Sequence, residues 1–211
     1  MPDWSHLHQG ILQGNAEAAL LAARALLDEG GDPVDLVARA ISPAMRDVGN
    51  LFAEGECFVP ELLMAARATK SVFEVLRPLL AKQGVAPVGR VLLGTVQGDL
   101  HDIGKNLVGA MLEGGGFEVI DLGVDVPPEK FTAAIAEKAP ELVGLSALLT
   151  TTLPAMKKTL EALAGNDLRG RVKVMIGGAP VTQAFADSVG ADGFAPDAAS
   201  AVALARRLIS G

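Results

Sequence analysis

Gly94-Thr95-Val96-Gln97-Gly98-Asp99-Leu100-His101-Asp102-Ile103-Gly104-Lys105-Asn106 is the most informative stretch of this chain. It leaves a short apolar run, Arg90–Thr95, and enters a stretch of helical spacing, Ile103–Leu112. That succession reads as strand, loop and helix, the opening of a βα unit. Two phosphate-binding loops come near the pattern and fail. A P-loop places four residues between its first glycine and Gly-Lys, then Ser or Thr; here Gly98 and Gly104 enclose five, and Asn106 follows. A Gly-x-Gly-x-x-Gly dinucleotide loop is absent, and Gly114-Gly115-Gly116 stands where a helix should stop. What remains is Asp99-x-His101-x-x-Gly104. A neutral imidazole is a good transition-metal ligand, and a carboxylate on its other nitrogen orients the ring and raises its basicity. Gly104 leaves room beside such a ligand for something bulky. Taken alone, the triplet reads equally as a surface histidine in a βα loop.

Toward the C-terminus the same unit repeats. Glu118–Leu122, Leu142–Ser146, Val172–Ile176 and a short Gly193–Ala195 read as further strands. Pro128–Lys138, Thr152–Ala164, Thr182–Ser188 and Asp197–Ile209 read as the helices between and after them. Strand–helix alternation of this kind predicts an α/β, doubly wound, five-stranded parallel sheet, Rossmann-like in organisation. Ligands of such sheets bind at the carboxyl ends of the strands, so the loops there are where chemistry is expected.

Toward the N-terminus the period changes to helix alone. Asn15 can cap a helix over Ala16–Glu29, which Gly30-Gly31 stops. Asp32-Pro33 opens a segment to about Ala53, with Val34, Val37, Ile41, Met45 and Val48 at helical spacing. Pro43 should bend or break it. Gly55 ends it, and Pro60 opens a last helix through Leu80, with Leu63, Ala66, Val72, Val75 and Leu79 among its apolar positions. The expectation is an antiparallel four-helix bundle over residues 1–84, a linker at 85–89 and the sheet domain over 90–211.

Half of the 211 residues are hydrophobic and a fifth are charged, enough for packed cores. With seven Phe, one Trp and no Tyr, the core must be built from Ala, Leu, Val and Gly. The formal net charge of −7 and the lack of any basic run give no nucleic-acid footprint. The single Cys57 forms no internal disulfide and fits a reducing compartment. Met1 to Gly10 carries no signal-peptide core, and no apolar run reaches the roughly 18 residues that span a bilayer. Cytoplasm is the expected location. His6 and His8 read as solvated, and zinc at His101 would lack its other ligands.

Asp99-x-His101-x-x-Gly104, Ser146-Ala147-Leu148 and Gly177-Gly178, each after an expected strand, resemble the three-part signature of cobalamin-binding domains. The helical half resembles the cap of methionine synthase and of the corrinoid proteins of methanol, methylamine and O-demethylase systems, and Val59-Pro60-Glu61-Leu62-Leu63 is typical of that family. The likeness covers almost the whole chain. It implies a cobalamin whose own lower base leaves cobalt and enters a slot beside the sheet, with His101 as the replacement metal ligand. Asp99 then bonds the imidazole, and Thr152 supplies the hydroxyl that completes the relay, with Thr151 and Thr150 as alternatives. Gly94, Gly98, Asp102, Ile103, Gly104, Ser146, Leu148, Thr150, Gly177, Gly178, Ala179 and Ala195 are implied to line the cofactor. Phe52 and Val59 are implied to shield the methyl-bearing face.

The resemblance also implies a function. The chain would carry a methyl group on cobalt, taking it through a substrate-specific methyltransferase and passing it to a second one acting on tetrahydrofolate or coenzyme M. A reductive activase is a further implied partner, and neither nucleic acid nor membrane is. The 85–89 linker would let the cap move aside for those partners. A cobalamin-dependent sensor is the competing reading, but it needs an output module, and none is expected before Trp4 or after Gly211. An isolated mutase subunit would have no use for the helical half, and a response-regulator-like or flavin module would leave Asp99-x-His101 unexplained.

Overall fold

The computed structural model describes residues 3–210; Met1, Pro2 and Gly211, the outermost residues of the two expected domains, lie outside the described residues. Two compact units divide the chain: residues up to Pro87 with Glu113–Gly116, and Val88–Leu112 with the chain from Phe117 onward.

The first unit is helical. α1 (Ser5–Leu12) is followed by α2 (Ala16–Asp28), which Asn15 caps by accepting from the Ala18 amide at 3.0 Å. Asp32 accepts likewise from the Val34 amide and opens α3 (Pro33–Leu36). A π-turn, Val37–Ile41, joins α3 directly to α4 (Ser42–Ala53). Pro43 therefore does not break the run. A proline has no N–H to donate and its ring clashes with the carbonyl four residues back, so the turn before it is widened, with the Ser42 amide reaching back to the Val37 carbonyl.

The wide turn also rotates the buried face by one residue. Pro33, Leu36, Ala40 and Ile41 are buried upstream of Pro43, whereas Val34 is exposed and Val37 only half-buried, a correction to the uninterrupted spacing. α5 (Val59–Lys82) starts where the Glu61 carboxylate accepts from the Phe58 amide, and it buries Leu62, Ala65, Ala66, Thr69, Val72, Phe73 and Leu76. Leu63 lies outside that face and is exposed, contrary to the expected stripe. His8 also departs from expectation: it is half-buried, with Nε2 2.9 Å from Asp47 Oδ2.

Cys57 is buried beside this helix, and burial first, then the charge of Glu61, pushes its thiol up from the ordinary value. The thiolate is the reactive form. Cys57 is therefore expected to react with a disulfide reagent at neutral pH at least tenfold more slowly than a free thiol, and urea should restore the rate. Fast reaction of the folded chain would contradict this burial.

The second unit alternates β1 (Arg90–Thr95), α6 (Ile103–Gly114), β2 (Glu118–Asp121), α7 (Pro128–Lys138), β3 (Leu142–Ser146), a 3₁₀ turn over Thr150–Thr152, α8 (Leu153–Gly165), β4 (Lys173–Gly177), α9 (Gln183–Val189), β5 (Gly193–Ala195) and α10 (Ala198–Ser210). All pairings are parallel, in the order β2-β1-β3-β4-β5. Parallel strands need crossover helices, which cover both faces of the sheet. Leu92, Val143, Leu145, Val174 and Ile176 pack on one face with Phe131 and Ile135 of α7 and Met156 and Leu160 of α8. Val91, Leu93, Leu142 and Met175 pack on the other with Leu112, Leu204 and Ala205. Each such side chain contributes roughly 1.5–3 kcal/mol by leaving water. Order reversal between β1 and β3 marks the switch point, where the loops of neighbouring strands part and leave a crevice.

Candidate functional site

The register brings the strand ends predicted from sequence into one row. Thr95 of β1 pairs with Ser146 of β3, Ser146 with Gly177 of β4, and Gly177 with Ala195 of β5. The loop after β1 emerges at this row beside the switch point and carries Gly98, Asp99 and His101.

Asp99 is fully buried and receives five hydrogen bonds. Oδ1 accepts from the His101 ring Nδ1 at 2.7 Å and the His101 amide at 3.1 Å. Oδ2 accepts from the Leu148 amide at 2.7 Å, the Leu149 amide at 3.3 Å and the Thr152 hydroxyl at 2.8 Å. Burial pushes this carboxyl up, but the Leu148 amide, the His101 ring, the Thr152 hydroxyl and the His101 amide together outweigh it and hold Asp99 well below the usual carboxylate range. An ionised Asp99 favours the tautomer with the proton on Nδ1 of His101. Nε2 is then a lone-pair donor, with no partner among the described residues.

Thr152, alone of the three threonines, is buried and reaches Asp99; Thr150 and Thr151 are exposed. The 3₁₀ turn directs Thr152 inward, and its hydroxyl also lies 2.9 Å from the Leu149 carbonyl, so its one proton has two acceptors. The His101 side chain is 50% exposed. Among the exposed apolar residues of this unit are Leu100 at 71%, Ile103 at 75%, and Leu148 and Leu149 just over 40%. A side chain added at Gly104 would meet nothing within 4 Å. A nitrogen donor with a free lone pair, flanked in sequence by exposed leucine and isoleucine and by an open glycine, suits a metal carried in a broad, partly apolar ring. A small hydrated cation would need more donors, and no group of three or more His, Cys, Asp or Glu is set for one among the described residues.

The other expected residues divide. Gly98 takes φ +84° in the turn before Asp99. Asp102 stays exposed at the start of α6, its carboxylate accepting from Asn106 Nδ2. Gly178, at φ +128°, lies so close to Ala147 that a Cβ would stand 1.8 Å from that carbonyl oxygen. Ser146 and Gly177 are half-buried and Ala179 is exposed. Two of them stand against the protein's own core. Gly94 makes room for the core, since its Cβ would fall 2.6 Å from the Phe131 ring. Ala195 is buried in the apolar cluster under the sheet, and its carbonyl is what approaches Gly177. In the first unit Phe52 is half-buried and Val59 exposed, and the still more exposed Phe58 and Met64 escaped the sequence reading. So did Thr95, which donates to the His101 carbonyl at 2.9 Å, and buried Lys105, which ion-pairs with Asp121. The partner of Lys105 lies on another strand, beyond any local pattern, and that of Thr95 is a backbone carbonyl six residues on, which no side-chain pattern marks.

A helical unit joined to a parallel sheet, with a carboxylate-held imidazole at the switch point, defines a cobalamin-binding protein of two units. The comparisons agree. A B12 binding domain model matches residues 89–204, and a second B12 binding domain model matches residues 5–77. A corrinoid protein of Desulfitobacterium hafniense strain Y51 is 41% identical over 206 residues, covering 96% of this chain and 95% of that protein. Dimethylamine corrinoid protein 1 of Methanosarcina acetivorans is 44% identical over 180 residues, 85% and 84% of the two chains. Among solved structures, a novel cobalamin-binding protein from Desulfitobacterium hafniense DCB-2 superposes with TM-score 0.83 at 34% identity over 99% of both chains. The methanol:cobalamin methyltransferase complex from Methanosarcina barkeri superposes with TM-score 0.86 at 32% identity, over 99% of this chain and 80% of that one. The chain belongs to the corrinoid-protein family, and cobalamin is its cofactor. No helix among the described residues is long and apolar enough to cross a membrane.

Proposed function

We propose that this corrinoid protein is a methyl carrier in a cobalamin-dependent methyltransferase system, in which His101 Nε2 would hold the cobalt. The observation that carries the reading is the hydrogen-bonded chain Thr152–Asp99–His101, which ends in an imidazole nitrogen without a partner among the described residues. When bound, the cofactor supplies a metal that can take a methyl group from an activated donor and release it to an acceptor nucleophile. The protein's residues do the rest. Asp99 fixes the ring and its tautomer, Thr152 and the Leu148 amide fix Asp99, and Leu100, Ile103 and Leu148 offer apolar surface to the ring system. The relay thus holds Nε2 as the lone-pair donor that the metal would meet.

Phe52 and Val59 of the helical unit are assigned to shielding the methyl-bearing face, and Ser146, Thr150, Gly177, Gly178 and Ala179 to the slot for the displaced nucleotide. Expected partners are a substrate-specific methyltransferase, a second methyltransferase of tetrahydrofolate or coenzyme M type, and a reductive activase. Relatives named for dimethylamine support a methylated amine as the first donor to try, and the complex named for methanol supports methanol as the second.

The test has two arms. Reconstitution with hydroxocobalamin and reduction to cobalt(II) should give a paramagnetic resonance spectrum with coupling to one protein nitrogen, abolished in His101→Ala. Methyl label from the donor should then reach the loaded protein only when a methyltransferase specific for that donor is added. A protein that loads cobalamin yet never accepts the label from any such donor would overturn the carrier reading.

A further inference from the structure

The β2–α7 loop contributes none of the residues assigned to the cofactor, yet it grips the histidine loop by two reciprocal hydrogen bonds. Asp125 Oδ1 accepts from the Gly98 amide at 2.7 Å, and the Asp125 amide donates to the Asp99 carbonyl at 2.9 Å. Asp125 holds this position at φ +51°, a left-handed conformation that few non-glycine residues adopt and that Asp and Asn tolerate best. Unusual backbone of this kind persists where the surroundings impose it, and it clusters at functional sites. The surroundings here are explicit. The Thr95 amide donates to the Gly123 carbonyl, the Val126 amide to the Thr95 carbonyl, and Val96 bridges to Val126, so the loop extends the sheet beyond β1 and β2. The turn from Val96 to Asp99 closes with the Asp99 amide on the Val96 carbonyl, and Asp125 binds it from the side. The Asp125 residue itself is exposed, so its carboxylate adds nothing to the apolar core.

We infer that Asp125 is a positioning residue for His101, fixing the Gly98–Asp99 turn so that the imidazole Nε2 is presented to the metal. The inference rests on the reading of His101 as the cobalt ligand. Two substitutions separate the carboxylate from the backbone. Asp125→Gly tolerates the left-handed backbone and keeps the amide bond to Asp99, while removing the acceptor for Gly98. Asp125→Asn tolerates the same backbone and retains a side-chain oxygen for that amide.

The full chain, loaded with hydroxocobalamin and reduced to cobalt(II), would be measured by paramagnetic resonance at a pH where the wild type is partly ligated. Asp125→Gly is expected to lower the ratio of nitrogen-coupled to uncoupled spectrum about tenfold, the scale of one hydrogen bond to a charged group. Asp125→Asn should recover most of it. Equal ratios in wild type and Asp125→Gly, or an Asn variant as impaired as the Gly variant, would overturn the assignment of Asp125. Absence of the coupling in wild type, or its persistence in His101→Ala, would instead overturn the ligand reading beneath it.

Discussion

Gly178→Ala is expected to destabilise the sheet unit by about 2–6 kcal/mol, combining roughly 1–3 for a side chain at an unsuitable φ with roughly 1–3 for overpacking. The added Cβ would stand 1.8 Å from the Ala147 carbonyl oxygen and 2.8 Å from its carbon, and both are backbone atoms. No rotamer change relieves a clash with backbone, so the end of β3 must move away from β4. Ala147 is itself held there by its amide on the Gly177 carbonyl at 3.2 Å, and Leu148, the next residue, donates to Asp99. A shift at Ala147 therefore reaches the carboxylate that orients His101. Urea unfolding of the full chain followed by circular dichroism should show a clearly lower midpoint. Amide exchange at Leu148 should quicken more than exchange in α10. An unchanged midpoint would mean that the loop absorbs the methyl group and that the close approach is not required.

The alternation of strands and helices was legible because β1, β3 and β4 are short, largely buried apolar runs and the strands are bounded by turn residues. The expected strand ends at Thr95, Ser146 and Ala195 coincide with those observed. What pattern reading missed came from contacts across the chain. Pro43 announces a conflict with helical geometry, but whether a kink, a break or a wide turn resolves it depends on the packing on either side. The resulting one-residue rotation exchanged Val34 and Val37 for Pro33 and Leu36 on the buried face. Thr152 was favoured among three consecutive threonines after β3, with Thr151 and Thr150 as alternatives, until the 3₁₀ turn showed Thr152 buried and bonded to Asp99. That Gly94 also makes room for the Phe131 ring was not legible, because Phe131 lies 37 residues onward and arrives only when α7 packs on the sheet. Asp125 and Lys105 gave no local signal at all, since an exposed Asp in a loop and a Lys at a helix start are ordinary until the register brings Gly98 and Asp121 to them. His101 and Asp99 were legible for the opposite reason: they are two apart in sequence and bond to each other.

Asp99→Asn, nearly isosteric, is expected to cost about 2–4 kcal/mol in the apo-protein, the cost of one or two buried donors left unpaired, and to remove the nitrogen coupling from the reconstituted one. A carboxylate offers acceptors on both oxygens, and all five groups facing Asp99 are donors. An amide has one oxygen and one NH₂, so it cannot answer both sides. With oxygen toward His101, the NH₂ faces the Leu148 amide, which is left without a partner; Thr152 escapes by turning its proton to the Leu149 carbonyl. With oxygen toward Leu148, the NH₂ faces Nδ1, and His101 must move its proton to Nε2, the atom assigned to cobalt. The first orientation costs stability and the second costs ligation. The sign of the pH dependence separates this from a packing defect. Asp99 is held below the carboxylate range in the folded chain, so its contribution is fully present above the unfolded value near about 4 and is lost as pH falls toward the folded value. Asparagine does not titrate. The stability gap between wild type and variant should therefore narrow below about pH 4, as acid removes from the wild type what the substitution has already removed. A gap that stayed constant into acid would mean that the Asp99 charge contributes nothing and only its shape matters; the fixed tautomer of His101 would then need another cause.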